Sequence, residues 1–397
     1  MAENHRLDSS PWNEIASKVK TVLIEEGVTS ICDQAFFDFT NMTNITISNQ
    51  VVSIGRYAFS NCQSLKSIEI PDSVTKIDEG AFSECINLSS VTMPEKITTI
   101  SAKEFSGCKS LKNFEISNSI TAIGGCAFFD CSSLENITIP NSVTAIGRCA
   151  FSRCSSLENI TIPDSVTELD GTFFGCEKLS NVQLPSNLIN IGEDTFSVCS
   201  SLESMKIPNS VTSLGAAAFN ECTSLKKIEI PDSVEEIGRY AFAYDDNLSD
   251  IGGRLPMNLT DLEEGVFYGC HNLTSIELPR NITKIGEETF GHSGLTSVEI
   301  PASVTEIGKS AFIECPDLSY VKISNGVSGL GEWMFYGCSR LTGIEIPDSV
   351  TRIGNEAFYD CNALSDVYYK GTEEQWKAII IGKSNQPLNS ATIHYNS

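Results

Sequence analysis

The sequence predicts a solenoid, a β-rich stack of about 15 coils of ~23 residues each. Three observations predict it. The stretch PDSVTKIDEGAFSECINLSSVTM at 71–93 returns, little changed, as PNSVTAIGRCAFSRCSSLENITI at 140–162 and again from 231. An apolar residue recurs every two to four positions within each copy, a spacing that fits neither a long helix nor a plain hairpin. One such turn cannot bury its own apolar residues, whereas stacked turns can.

The copies align as P-x-S-V-T-x-I-G-x-x-A-F-x-x-C-x-x-L-x-x-I-x-I, and 15 of them are centred on a Phe, from Phe36 to Phe358. L-x-x-I-x-I (Leu65, Ile68, Ile70) is β-branched and ends in period two, so it is expected to be a strand. Proline stops that strand in 11 copies and pre-sets a turn. V-T-x-I (Val74, Thr75, Ile77) predicts a second, shorter strand. Gly follows in ten copies, with Asp at Asp78 and Asp170, and these types predict a tight turn of positive φ. A-F-x-x-C is too short for a helix and predicts one helical or 3₁₀ turn. At the ~4.8 Å spacing of strands, the stack would form a rod or arc on the order of 70 Å long.

The period slips at three places: ELDGTFFGC near 169–176, FGHSGL at 290–295, and LSDIGGRLP at 248–256, which carries two extra residues. Loops absorb such changes at little cost. The expected organisation is one continuous structural domain. Residues 1–24 form an N-terminal cap and partial first coil with Trp12 as a plug. Residues 25–369 form the repeat, and 370–397 form a C-terminal cap. In that cap, EEQWKAII predicts a short helix and NSATIHY a final strand.

The motif L-x-x-I-x-I-P-x-S-V-T-x-I-G-x-x-A-F-x-x-C resembles the BspA-like class of leucine-rich repeat proteins, over roughly residues 19 to 369. The flanks SPW…VKTVLIEEGVTSI and YYKGTEEQWKAI are similar to the start and closing lid of bacterial members. The resemblance implies a leucine-rich-repeat solenoid with parallel strands on its concave face. It also implies a secreted or cell-surface location and adhesion to host or bacterial surfaces.

Fifteen cysteines invite thoughts of disulfides or metal. Twelve of them share one repeat slot, from Cys62 to Cys361, where equivalent side chains project in parallel and do not converge as a disulfide requires. Asp245 and Ser293 hold the same slot, so these thiols read as small core residues. Cys126 and Cys149 share another slot on adjacent coils and are the best candidates for a bond. With no C-x-x-C and only four His, a zinc site is not expected, and no cofactor is implied. A free-thiol chain suits a reducing setting.

Chemistry is equally scarce. Gly-His-Ser-Gly at 291–294 is not a G-x-S-x-G elbow, and no second His stands ready as its base. Asp245-Asp246-Asn247 lacks the alternate spacing of a calcium loop. Nine N-x-S/T sequons are present, and those at Asn136 and Asn159 arise because the strand reads Asn-Ile-Thr. The chain is not expected to be an enzyme.

What remains is surface. The net charge of −24, from 51 acidic and 27 basic residues, repels nucleic acid and anionic membranes. No stretch is apolar enough to insert in a bilayer, and MAENHRLDSSPWNEIASKVK carries no basic-then-apolar signal region. The outward strand column is polar and mildly acidic. Binding anchors favour Tyr, Trp and Arg, and the outliers on this face are Lys206, Lys227, Arg254, Tyr320, Lys322 and Tyr368. A second row follows the ladder Phe: Phe37, Phe129, Phe174, Tyr268, Tyr336 and Tyr359. The expected function is non-catalytic binding, adhesin-like, of a protein (host matrix or surface) or a glycan. The alternative is a cytoplasmic scaffold or regulator of one intracellular protein.

Overall fold

The computed structural model describes Trp12 and residues 14–396; residues 1–11 and 13 of the expected N-terminal cap lie outside them. The architecture is a parallel-strand β-solenoid of about 16 turns of ~23 residues with few helices. The chain divides into two compact units, Met1–Leu188 and Ile189–Ser397.

The first unit opens with a 3₁₀ turn, Ala16–Lys18, and the strand Thr21–Ile24. That strand pairs in parallel with Asn44–Ile47. Three-residue strands follow, one per coil, from Ser67–Glu69 to Asn181–Gln183. The V-T-x-I segment yields a two-residue strand in each coil, as at Ser53–Ile54 and Lys76–Ile77, which pair in parallel. The second unit continues the pattern with Ser204–Lys206 and Lys227–Glu229, then loses the longer strand for two coils. Only an isolated bridge, Lys227 to Asp250, survives there. The physical reason is the insertion, where Gly252 and Gly253 turn the chain at φ 85° and 87°. Regular pairing resumes in a five-stranded sheet running from Ser297–Ile300 to Thr392–Tyr395.

The Phe-bearing turn is a finding of its own. It keeps the i→i+3 hydrogen bond of the expected 3₁₀ turn but not a helical run. Ala58, Ser60 and Cys62 donate backward within the coil to Gly55, Tyr57 and Phe59. Between them, Tyr57, Phe59 and Asn61 donate forward to Glu79, Ala81 and Ser83 of the next coil. The segment is therefore a chain of β-turns that doubles as a third hydrogen-bonded ladder between coils. Left-handed residues make this possible, two per coil and four apart: Tyr57 and Asn61, Gly80 and Glu84, Cys126 and Asp130, Glu356 and Asp360.

The expected positive φ at the conserved-looking Gly slot is overturned. Gly55, Gly238 and Gly354 are not left-handed. Glycine stands there because the preceding coil passes too close: a Cβ on Gly55 would lie 2.6 Å from the Asp33 amide nitrogen, and one on Gly354 2.5 Å from that of Glu332. Real Cβ atoms do not approach backbone so closely.

The core is a stack of rings. In the first unit Phe36 to Phe173 pile face to face, with centroids 5.4–5.8 Å apart. In the second, Phe196 to Phe335 do the same at 5.3–5.8 Å, and Phe358 tilts 32° from Phe335 at 5.3 Å. Beside them runs a row of buried free thiols. Each does more than fill space: Cys85 Sγ donates to the Phe59 carbonyl of the preceding coil at 3.1 Å, Cys131 to Phe105 at 3.2 Å and Cys361 to Phe335 at 3.0 Å.

After the last ladder Phe, helix α1 (Glu373–Ala378) starts at a capping box of Thr372 and Gln375. Trp376 packs edge-on to Tyr369 at 5.2 Å. Strand Ile380–Ile381 pairs with Arg352–Ile353, and helix α2 (Gln386–Ser390) leads to Thr392–Tyr395, which pairs with Asp366–Tyr369. Buried Asn385 takes over the turn ladder: its Oδ1 accepts the Phe358 amide at 3.0 Å, and its Nδ2 donates to the Gly354 carbonyl at 2.9 Å.

Candidate binding surface

The outward column of the five-stranded sheet brings three of the expected residues together. Tyr320 lies opposite Gly343 in register, and Lys322, Glu345, Tyr368 and His394 line up across successive strands. Gly343 has no side chain to lift the ring, and a Cβ there would meet Tyr320 at 3.2 Å. The tyrosine ring therefore lies down over the neighbouring strand. Its hydroxyl donates to Glu345 Oε1 at 2.5 Å, which fixes the ring in one orientation. Burial and that bond push the Tyr320 hydroxyl up to about 12, and the same bond holds the Glu345 carboxyl below its ordinary value.

The surroundings are charged and paired. Lys322 donates to Glu299 at 2.7 Å, and Lys370 reaches Glu345 at 3.2 Å. Tyr368 stacks on His394 at 4.8 Å, and the His394 ring nitrogen meets Asp366 at 2.8 Å. The result is a rigid patch of two tyrosines and a histidine, ringed by donors and acceptors. Gly343, Glu345, Asp366 and His394 were not singled out from the sequence. Gly343 carried a usable signal, being the one glycine in a column mostly of Ser and Asn. His394 carried none, because the final strand lies outside the repeat.

The other expected residues sit elsewhere in the second unit. Lys206 and Lys227 border a shallow groove of about 600 Å³ with Asp250, Gly252 and Gly253. Lys227 is held by Glu229 at 3.2 Å and Asp250 at 3.6 Å. Arg254 grips both oxygens of Asp232, at 2.7 and 2.8 Å, and also donates to the Leu255 carbonyl. The Arg254 bond pulls Asp232 down to about 2. Asp232 further accepts the Met257 amide, so the Arg254 contacts brace the inserted loop.

The row after the ladder Phe packs partly across coils. Tyr336 stacks on Tyr359 at 5.2 Å, and the Arg153 guanidinium lies 5.7 Å over Phe129. Ser293 of the Gly-His-Ser-Gly stretch is fully buried, 3.5 Å from the Cys315 sulfur, and faces no open space. Among the described residues, no group of three or more His, Cys, Asp or Glu is placed to hold a metal ion. No helix among them is long and apolar enough to cross a membrane.

Parallel strands, an inward Leu and Ile ladder and one coil per 23-residue repeat define a leucine-rich repeat solenoid. The model of the BspA type leucine-rich repeat region matches residues 14–135, 121–249 and 237–365, and the chain belongs to that family. A leucine-rich repeat protein of Bacteroides ovatus is similar over 94% of this chain and 91% of its own, at 29% identity and a TM-score of 0.67. A leucine rich cell surface protein of Faecalibacterium prausnitzii is 30% identical over 91% of this chain and 82% of its own, with a TM-score of 0.43. A leucine-rich repeat protein of Treponema (T. pallidum) is 32% identical over 44% of this chain and 72% of its own, with a TM-score of 0.35. No curated protein matches the chain.

Proposed function

We propose that the chain is a non-catalytic binding module that uses the strand face at 320–394 to engage a protein or glycan on a host or cell surface, in the manner of an adhesin. The observation that carries this reading is Tyr320, laid flat over Gly343 and locked by Glu345. A ring already immobilised loses little entropy on binding, and tyrosine supplies large contact area with a polar edge. Membership of a leucine-rich repeat family supports an interaction role. A second reading, an intracellular scaffold, is favoured by the row of free thiols, which persists most readily in a reducing compartment.

The test is a pull-down with the full chain against two pools, host matrix with serum and lysate of the source cell, scored by quantitative mass spectrometry. Under the adhesin reading, a matrix or serum component is enriched and is lost with Tyr320→Ala and Lys322→Ala together. Partners retained by that double variant would remove this face from the proposal. Enrichment of a single intracellular protein, sensitive to the same variant, would transfer the face to the scaffold reading.

A further inference from the structure

A second aromatic cluster stands on the turn ridge of the second unit, apart from the strand face. Tyr244 and Tyr268 meet edge to face, 5.4 Å between centroids and 73° between planes. Tyr268 meets the His292 ring the same way, at 5.0 Å and 66°. Three rings on successive coils thus form a corner with upright walls. Two glycines permit it. A Cβ on Gly269 would stand 3.1 Å from the Tyr244 ring, and one on Gly291 3.0 Å from that of Tyr268. Tyr244 and Tyr268 each lean over the bare backbone of the next coil; Tyr244 is 47% exposed, and Tyr268 and His292 are half-buried.

The charge around the corner is mostly negative. Glu314 reaches the His292 ring nitrogen at 3.4 Å, and its charge and that of Glu288 both act on Tyr268. Glu288 is in no ion pair among the described residues. Lys309, whose charge is felt near Glu288, is held by Glu287 at 2.8 Å. Accessible aromatic rings beside carboxylates are what a desolvating ammonium group requires. The chain's net charge of −24 draws such cations toward the surface.

We propose that the corner of Tyr244, Tyr268, His292, Glu288 and Glu314 binds the side-chain ammonium of a lysine in a basic peptide or protein segment. The GHSG loop supplies His292 and Gly291 to it, and the shortened coil gives this stretch a structural use. The corner shares no residue with the patch at Tyr320, so either can fail alone.

The experiment titrates the full chain with a fluorescently labelled hexalysine peptide, read by anisotropy at one fixed ionic strength. Tyr268→Leu and Tyr244→Leu leave the net charge unchanged and remove the rings. Each is expected to weaken binding by about tenfold, while Tyr320→Ala leaves it intact. A trimethyl-lysine peptide is expected to bind at least as tightly, and an acetyl-lysine peptide not at all. Should Tyr268→Leu unfold, as a melt will show, the exposed Tyr244 decides. Unchanged binding by Tyr244→Leu means that only the overall negative field attracts the peptide, and overturns the site.

Discussion

Two kinds of residue carry strain or charge that the repeat does not need. Val198 sits at a left-handed turn position with φ 61°, where a β-branched side chain crowds the backbone. Val198→Asn is expected to raise stability by about 1 kcal/mol, read as a higher denaturant midpoint; no gain would mean that the turn has relaxed around valine. Glu104 stands in the slot where other coils carry Ala58, Ala81 or Ala127. It is fully buried, one oxygen accepts the Ser101 amide and the other has no partner among the described residues. Burial raises its carboxyl from 4.5 to about 8. A raised acid folds without penalty below its unfolded value, then loses stability as the unfolded state ionises first. Between about pH 4.5 and 8 that slope is about 1.4 kcal/mol per pH unit. Glu104→Ala is expected to flatten the fall and to gain at least about 2 kcal/mol at pH 8. Thermal melts of both chains across that range check it. The cysteines divide just as sharply. Burial pushes thiols such as Cys131 and Cys176 far above the ordinary range, so they are poor nucleophiles. Native titration is expected to reach Cys32, Cys126 and Cys149 quickly and the twelve ladder thiols only after denaturation.

At the scale of elements, the strands were legible and the turn only in part. Period-two Ile and Val announced the longer strand, and Ile77 and its equivalents the shorter one. The two left-handed residues per coil escaped because Tyr57, Cys149, Trp333 and Glu314 occupy those positions as readily as Gly80 or Asn61. Backbone hydrogen bonds to the next coil fix the conformation there, and side-chain preference has little say. The proposed patch was half legible for a related reason. Tyr320, Lys322 and Tyr368 stood out in their columns, but their anchors came from register across strands and from a strand beyond the repeat. The most testable element is the terminal turn. Asn385→Ala leaves the buried Phe358 amide without an acceptor, at a cost of about 2 kcal/mol. Hydrogen exchange is expected to accelerate first at Phe358 and its neighbours; uniform protection would show that another group caps the turn.

For the whole molecule, the excess of 24 negative charges opposes compaction. Its ion pairs, such as Lys226 with Glu203 and Arg340 with Asp317, are exposed and contribute little each. Salt should therefore stabilise the fold by screening repulsion, and a melting temperature that falls between 0.01 and 0.5 M salt, spanning Debye lengths of about 30 to 4 Å, would contradict that balance. The glycines under aromatic rings have a different consequence. Tyr57 with Gly80, Tyr240 with Gly265 and Tyr320 with Gly343 each join one coil to the next. Within each unit successive coils stack through equivalent Phe rings, so gain or loss of a whole repeat is expected to keep that stack. The same event at such a boundary parts a tyrosine from its glycine. On this surface the junction between two repeats, and not the repeat by itself, is thus the unit that a paired change of tyrosine and glycine alters.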